Sequence, residues 1–174
     1  MSSRPGFALA TSRIICVAGM SISILVAVAL GLTAIALALG WPQLLVEAAE
    51  KGMTARIARL QPWLSLVLVG ATTILALTAA VFRDLLAVLD GVSHGDPFTA
   101  DSSLRLRRIG WIILGIQGAG FLTGLAGHAI ARHTDIGASF EFSFTGLLAA
   151  LLAFVLAEVF EQARHLRDDL EGTV

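Results

Sequence analysis

Charge is what this sequence has least of. Only 14% of its 174 residues are Asp, Glu, Lys or Arg, against 56% hydrophobic ones; a typical soluble domain carries about 25% charged residues. That deficit excludes an ordinary water-facing surface, and the mean hydropathy of +0.83 agrees. Cysteine is almost absent too. Cys16 is the one thiol, with no Cys-x-x-Cys partner, so an internal disulfide framework and a redox pair are both excluded. No P-loop, Gly-x-Ser-x-Gly or His-Glu-x-x-His motif occurs. His128 and His133 are five apart, so they do not share a helical face as ligands at i and i+4 would, and they read as surface histidines. His94 and Asp96 flank a glycine without further ligands nearby. The expectation is therefore no metal, no cofactor, no catalytic residue and no enzyme. The net charge of −1, and arginines without an aromatic platform, leave no direct nucleic-acid partner to expect.

What the chain has instead is long apolar runs. Four windows, at about 14–40, 63–82, 109–130 and 142–160, contain almost no charge, and about 20 apolar residues span a bilayer as a helix. The lipid bilayer is thus the first partner. The uncharged run from residue 14 to 41 has 28 residues, against 7–15 in a signal peptide, so it reads as a retained span. Cys16 follows Ile15 rather than the small residue that precedes a lipidated cysteine. The fourth window has only 16 residues between Glu141 and Glu158. That covers about 24 Å of a core about 30 Å thick, so the helix must continue at both ends, through Phe140 and through Val159 and Phe160; a half-buried hairpin is the competing reading.

The basic residues set the orientation. With four spans, eight arginines fall on the side of both termini and the second loop, and four Lys or Arg on the other. The positive-inside rule then places both termini and the second loop in the cytoplasm. The expected fold is all-α: a single four-span domain over 1–174, an integral membrane four-helix bundle in which helices 2, 3 and 4 extend into the cytoplasm. On the outer side, Leu45, Ala49, Met53, Ile57 and Leu60 recur at helical spacing, which predicts an amphipathic segment over 43–61, bent at Gly52.

The cytoplasmic hairpin, 83–108, holds the sequence HGDPFTADSSLRLRRIGW at residues 94–111. Leu85, Leu86 and Leu89 carry the second helix to Asp90, with Gly91 as its stop. Gly95 and Pro97 make a turn. Thr99 is the expected N-cap of the next helix, with Asp101 in its first turn. The cytoplasmic tail, 161–174, continues the fourth helix, with Glu161 in reach of Arg164 and His165. Glu158 needs a cation near the inner interface, and Arg83 or Arg108 is the expected partner in a structural ion pair. Arg105, Arg107 and Arg108 read first as an anchor to anionic headgroups and second as a docking patch. Small residues set the packing: Gly120 and Gly124 form a Gly-x-x-x-Gly pair, while Gly146/Ala150 and Ala149/Ala153/Ala157 line the fourth span. Such faces let helices approach closely, within one chain or between copies in a homo-oligomer. Gln117 reads as an interhelical hydrogen bond rather than a substrate site.

Asp96-Pro97-Phe98-Thr99 followed by Arg105-Leu106-Arg107-Arg108-Ile109-Gly110-Trp111 resembles the central motif of a bacterial membrane family known as domain of unknown function 2975. Leu156-Ala157-Glu158-Val159-Phe160, Leu166-Arg167-Asp168-Asp169 and the final Thr173-Val174 resemble its closing pattern. The chain departs from that pattern with Asp96 where Asn is frequent, and with Gly172 before the last two residues. The family lends no catalytic residue. Its members are often encoded beside a small helix-turn-helix regulator, so the resemblance implies a membrane protein that holds or antagonises a cytoplasmic transcription factor. The expected function is a non-enzymatic regulatory or interaction protein, with Asp96, Pro97, Phe98, Arg105, Arg107, Arg108 and Arg167 as the candidate partner-binding patch. The alternative is a small transporter, exporter or immunity-type membrane protein.

Overall fold

The structure, a computed structural model, describes residues 5–50, 54–93, 99–132 and 143–171. Among these residues the chain is all helix, with no strand: α1 is Pro5–Glu50, α2 Thr54–Ser93, α3 Ala100–Ala131 and α4 Phe144–Glu171. Each contains a stretch long and apolar enough to cross a membrane, namely Leu9–Gln43, Leu60–Ser93, Ala100–Ala131 and Phe144–Arg167. The last of these is the shortest at 24 residues, and it still reaches about 36 Å. The fourth span therefore achieves its length by running into the charged tail sequence; Phe140, through which the other end is expected to continue, lies outside the described residues.

The surface fits this reading. Leu25 is 70% exposed, Leu39 76%, Trp111 65% and Phe144 78%. In water so much exposed apolar surface would drive association; against lipid tails it is what a helix presents. The backbone donors and acceptors are closed within each helix, the condition a bilayer imposes. Hydroxyls inside the apolar stretches follow the same rule. Ser23 donates to the Gly19 carbonyl, Thr72 to Leu68, Thr73 to Val69 and Thr123 to Ala119, each at 2.8 Å. A serine or threonine bonded four residues back leaves no polar group facing lipid unsatisfied.

The outer segment expected over 43–61 is not a separate element. Residues 43–50 continue α1 through Pro42, and 54–61 begin α2 ahead of Pro62. Apolar periodicity at spacing three and four is common to a surface helix and to the end of a long span. The sequence pattern therefore left the two indistinguishable. Gly52, the expected bend, lies outside the described residues.

At the other end, α2 runs past the stop expected at Gly91 and ends at Ser93, whose hydroxyl donates to the Asp90 carbonyl at 2.7 Å. The start of α3 is as the sequence predicts. Thr99 Oγ1 accepts the Ser102 backbone N–H at 3.2 Å, which satisfies one of the orphan donors of the first turn. Ser102 and Thr99 also join hydroxyl to hydroxyl at 2.9 Å.

Two compact units divide the helices. One comprises Met1–Ser23, Leu77–Gly115 and Ser143–Val174, the other Ile24–Ala76 and Ile116–Phe142. In the first unit, Val88 of α2, Leu106 and Ile109 of α3, and Ala153 and Ala157 of α4 form a buried apolar cluster, with Val81, Leu85, Ile113 and Phe160 packed against it. Ala150, Ala153 and Ala157 are 1%, 9% and 3% exposed, so the small-residue stripe of the fourth helix does face a helix neighbour. Gly110 permits a second close approach in this unit: a Cβ there would meet the Phe154 ring at 2.9 Å. That ring in turn meets Trp111 edge-on, with centroids 5.5 Å apart.

In the second unit the close approach falls at Gly70, where an added Cβ would overlap Thr123 Oγ1. On α3, a Cβ at Gly120, the first member of the Gly-x-x-x-Gly pair, would meet nothing within 4 Å. Spacing marks which residues share a face; it does not say which face a neighbour covers.

Candidate functional site

The charged groups of the first unit are concentrated where α2 ends, α3 begins and α4 emerges from its apolar stretch. At their centre is Asp84, which is completely buried. Its position follows from the helical period. Val81, Asp84, Leu85 and Val88 stand at i, i+3, i+4 and i+7, so an acid occupies one place on the stripe of α2 that faces the apolar cluster. A buried carboxylate needs cations, and three arginines supply them. Arg83 Nη2 lies 3.4 Å from Oδ1, Arg105 Nη1 3.9 Å from Oδ1 and Arg108 Nε 3.4 Å from Oδ2. Oδ2 is in charge contact without a hydrogen bond. Arg105 is further fixed from below by Asp101, one helical turn earlier, at 2.6 Å. On α1, Arg13 meets Asp90 at 3.3 Å.

The expected pairing of Glu158 with Arg83 or Arg108 is not what forms. Both arginines lie on Asp84, and Glu158 meets Arg107 at 3.9 Å. The reason is angular. Neighbouring residues on a helix are turned by about 100°. Ala157 and Leu106 point into the core, so Glu158 and Arg107, each one residue further along, are turned to its flank. They are 58% and 60% exposed, which makes the contact a surface ion pair worth little to stability.

Beside this pair lies a cleft of about 420 Å³ between the first turns of α3 and the emerging part of α4, lined by Ser103, Leu104 and Arg107 on one wall and Ala157, Glu158 and Glu161 on the other. Glu161 lines it as well and sits in a network of its own. It accepts from Ser103 Oγ at 2.7 Å and from Arg164 Nη2 at 2.6 Å, with His165 Nε2 at 3.4 Å. The Glu161–Arg164 and Glu161–His165 contacts are those the tail's spacing predicts; the cross-helix bond to Ser103 carried no sequence signal. Leu104, 63% exposed, leaves an apolar group at the cleft's lip.

The patch expected from the sequence is thus divided. Arg105 and Arg108 brace Asp84, Arg107 faces the cleft, and Arg167 lies exposed further along α4. Asp96, Pro97 and Phe98 lie outside the described residues, as do His94 and His133. Among the described residues no group of three His, Cys, Asp or Glu is placed to hold a metal ion.

Four apolar helices with this charged terminal cluster define an all-helical, multi-pass membrane protein. More narrowly, the chain belongs to the family described as Protein of unknown function (DUF2975), whose model matches residues 41–174. That range takes in both the central and the closing motifs. No curated protein and no solved structure matches the chain.

Proposed function

We propose that this chain is a non-enzymatic regulatory protein of the bacterial inner membrane whose cytoplasmic face docks a soluble partner. The observation that supports this most is the cleft beside Arg107 and Glu158. It joins an exposed leucine, an exposed arginine and an exposed glutamate, the mixture of apolar anchor and charged rim that protein interfaces use. On the same helix as Leu104 and Arg107, Arg105 and Arg108 are held by the buried Asp84, which favours a preformed surface for a partner. Two-to-one bias of basic residues toward this side supports a cytoplasmic position. The family resemblance supplies the partner's class, a small helix-turn-helix regulator.

Full-length protein in detergent should retain the purified neighbouring regulator on a column. A Leu104→Glu/Arg107→Glu variant, altered only at exposed positions, should weaken that binding about tenfold or more. Absence of retention by the wild-type protein, or equal retention by the variant, would overturn the reading.

A further inference from the structure

We propose that Arg83 and Arg108 form a binding site for a phosphate group, presented by Asp84 and filled by an anionic lipid headgroup. Three guanidinium groups converge on the one buried carboxylate of Asp84. Asp101 neutralises Arg105, which is only 34% exposed. The uncompensated positive charge therefore falls on Arg83 and Arg108, whose side chains are 58% and 60% exposed. Arg83 approaches Asp84 with Nη2 and Arg108 with Nε. A guanidinium has five N–H donors in a rigid planar fork, so each retains an outward edge matched to the two-point geometry of a phosphate. Because both reach opposite oxygens of the same carboxylate, the two forks are neighbours, and neither can swing away without stripping a buried charge.

Height along the helices identifies the source of the phosphate. Arg83 directly follows the apolar window that ends at Phe82, and Arg108 directly precedes the one that begins at Ile109. Both therefore sit where a bilayer places its headgroup phosphates rather than out in water. Asp84 is a positioning residue: it touches no ligand and sets the angle of both forks. Arg107 does not take part, since it is turned to the α3–α4 cleft. The site is distinct from the proposed protein-docking surface, and its test does not depend on that surface.

The test measures the thermal midpoint of the purified full-length protein in neutral detergent. One titration adds phosphatidylglycerol, a second phosphatidylcholine and a third inorganic phosphate. The result expected is a saturable rise with phosphatidylglycerol and no comparable rise with the other two. Arg83→Gln and Arg108→Gln, each of which leaves Asp84 two arginines, should each weaken the apparent affinity about tenfold. Arg13→Gln, which removes a similarly exposed arginine from the same unit, should leave it unchanged. A saturable response to inorganic phosphate alone, lost in the same two variants, would keep the phosphate site and overturn its assignment to lipid. No saturable response, or one indifferent to both arginines when their unliganded midpoints match the wild type, would overturn the site itself.

Discussion

Replacing Arg105 and Arg108 together by glutamine should lower the thermal midpoint of the purified protein by on the order of 10 °C. Asp84 is fully buried, and the double variant leaves it with Arg83 alone. Removing the partners of a buried charge costs about 3–5 kcal/mol, and each kcal/mol moves the midpoint of a chain this long by roughly 2–4 °C. Adding Asp84→Asn should recover most of the loss, because the amide has no charge to strand. Asp84→Asn alone should be much milder, since Arg83 and Arg108 are largely exposed and can be solvated, and Arg105 keeps its pairing with Asp101. The asymmetry is the signature of a buried acid held by surface cations. If the triple variant melts no higher than the double, the arginines stabilise the end of the helices by some route other than Asp84.

The second large effect is expected in the other unit. Gly70→Ala should destabilise by about 1–3 kcal/mol, the usual cost of overpacking, even though alanine is the better helix former by about 1 kcal/mol. The new methyl overlaps Thr123 Oγ1, which is held by its own bond to the Ala119 carbonyl. Thr123→Ala should restore part of the loss by removing that oxygen. Gly118→Ala is the counterpart, because a Cβ there meets nothing within 4 Å, and its midpoint should hold or rise. Equal thermal midpoints for Gly70→Ala and Gly118→Ala would show that α2 and α3 do not approach closely at Gly70.

Both sites show how far the sequence could be read. The four spans were plain, because a bilayer demands runs of apolar residues whatever their packing. The Thr99 cap was plain as well, since the chemistry of a helix start is local. Asp84 stands inside Arg-Asp-Leu-Leu, where an acid beside an arginine looks like any solvated pair. Its signal was present in the period: it replaces an apolar residue on the stripe shared by Val81, Leu85 and Val88. The sequence points Glu158 to the arginines at the matching helix ends, because height along a helix is legible in it. The rotation that turns Glu158 toward Arg107 depends on which face α4 buries, and the alanines of that stripe would have settled it. The bond from Ser103 to Glu161 joins residues 58 positions apart, and no local pattern encodes it.

At the centre of the proposed role is a charged platform that faces the cytoplasm and offers its α3–α4 cleft to a soluble partner. Leu104 lines that cleft and is exposed, and Cys16 is the one native thiol. A Cys16→Ala/Leu104→Cys variant therefore carries a single reporter at the site. The most direct measurement is its rate of labelling by a membrane-impermeant maleimide, in intact cells and in inverted membrane vesicles, with and without the purified helix-turn-helix regulator. The result predicted is labelling in inverted vesicles alone, slowed when the regulator is bound. Labelling from outside intact cells, or labelling in vesicles that the regulator leaves unchanged, would contradict it.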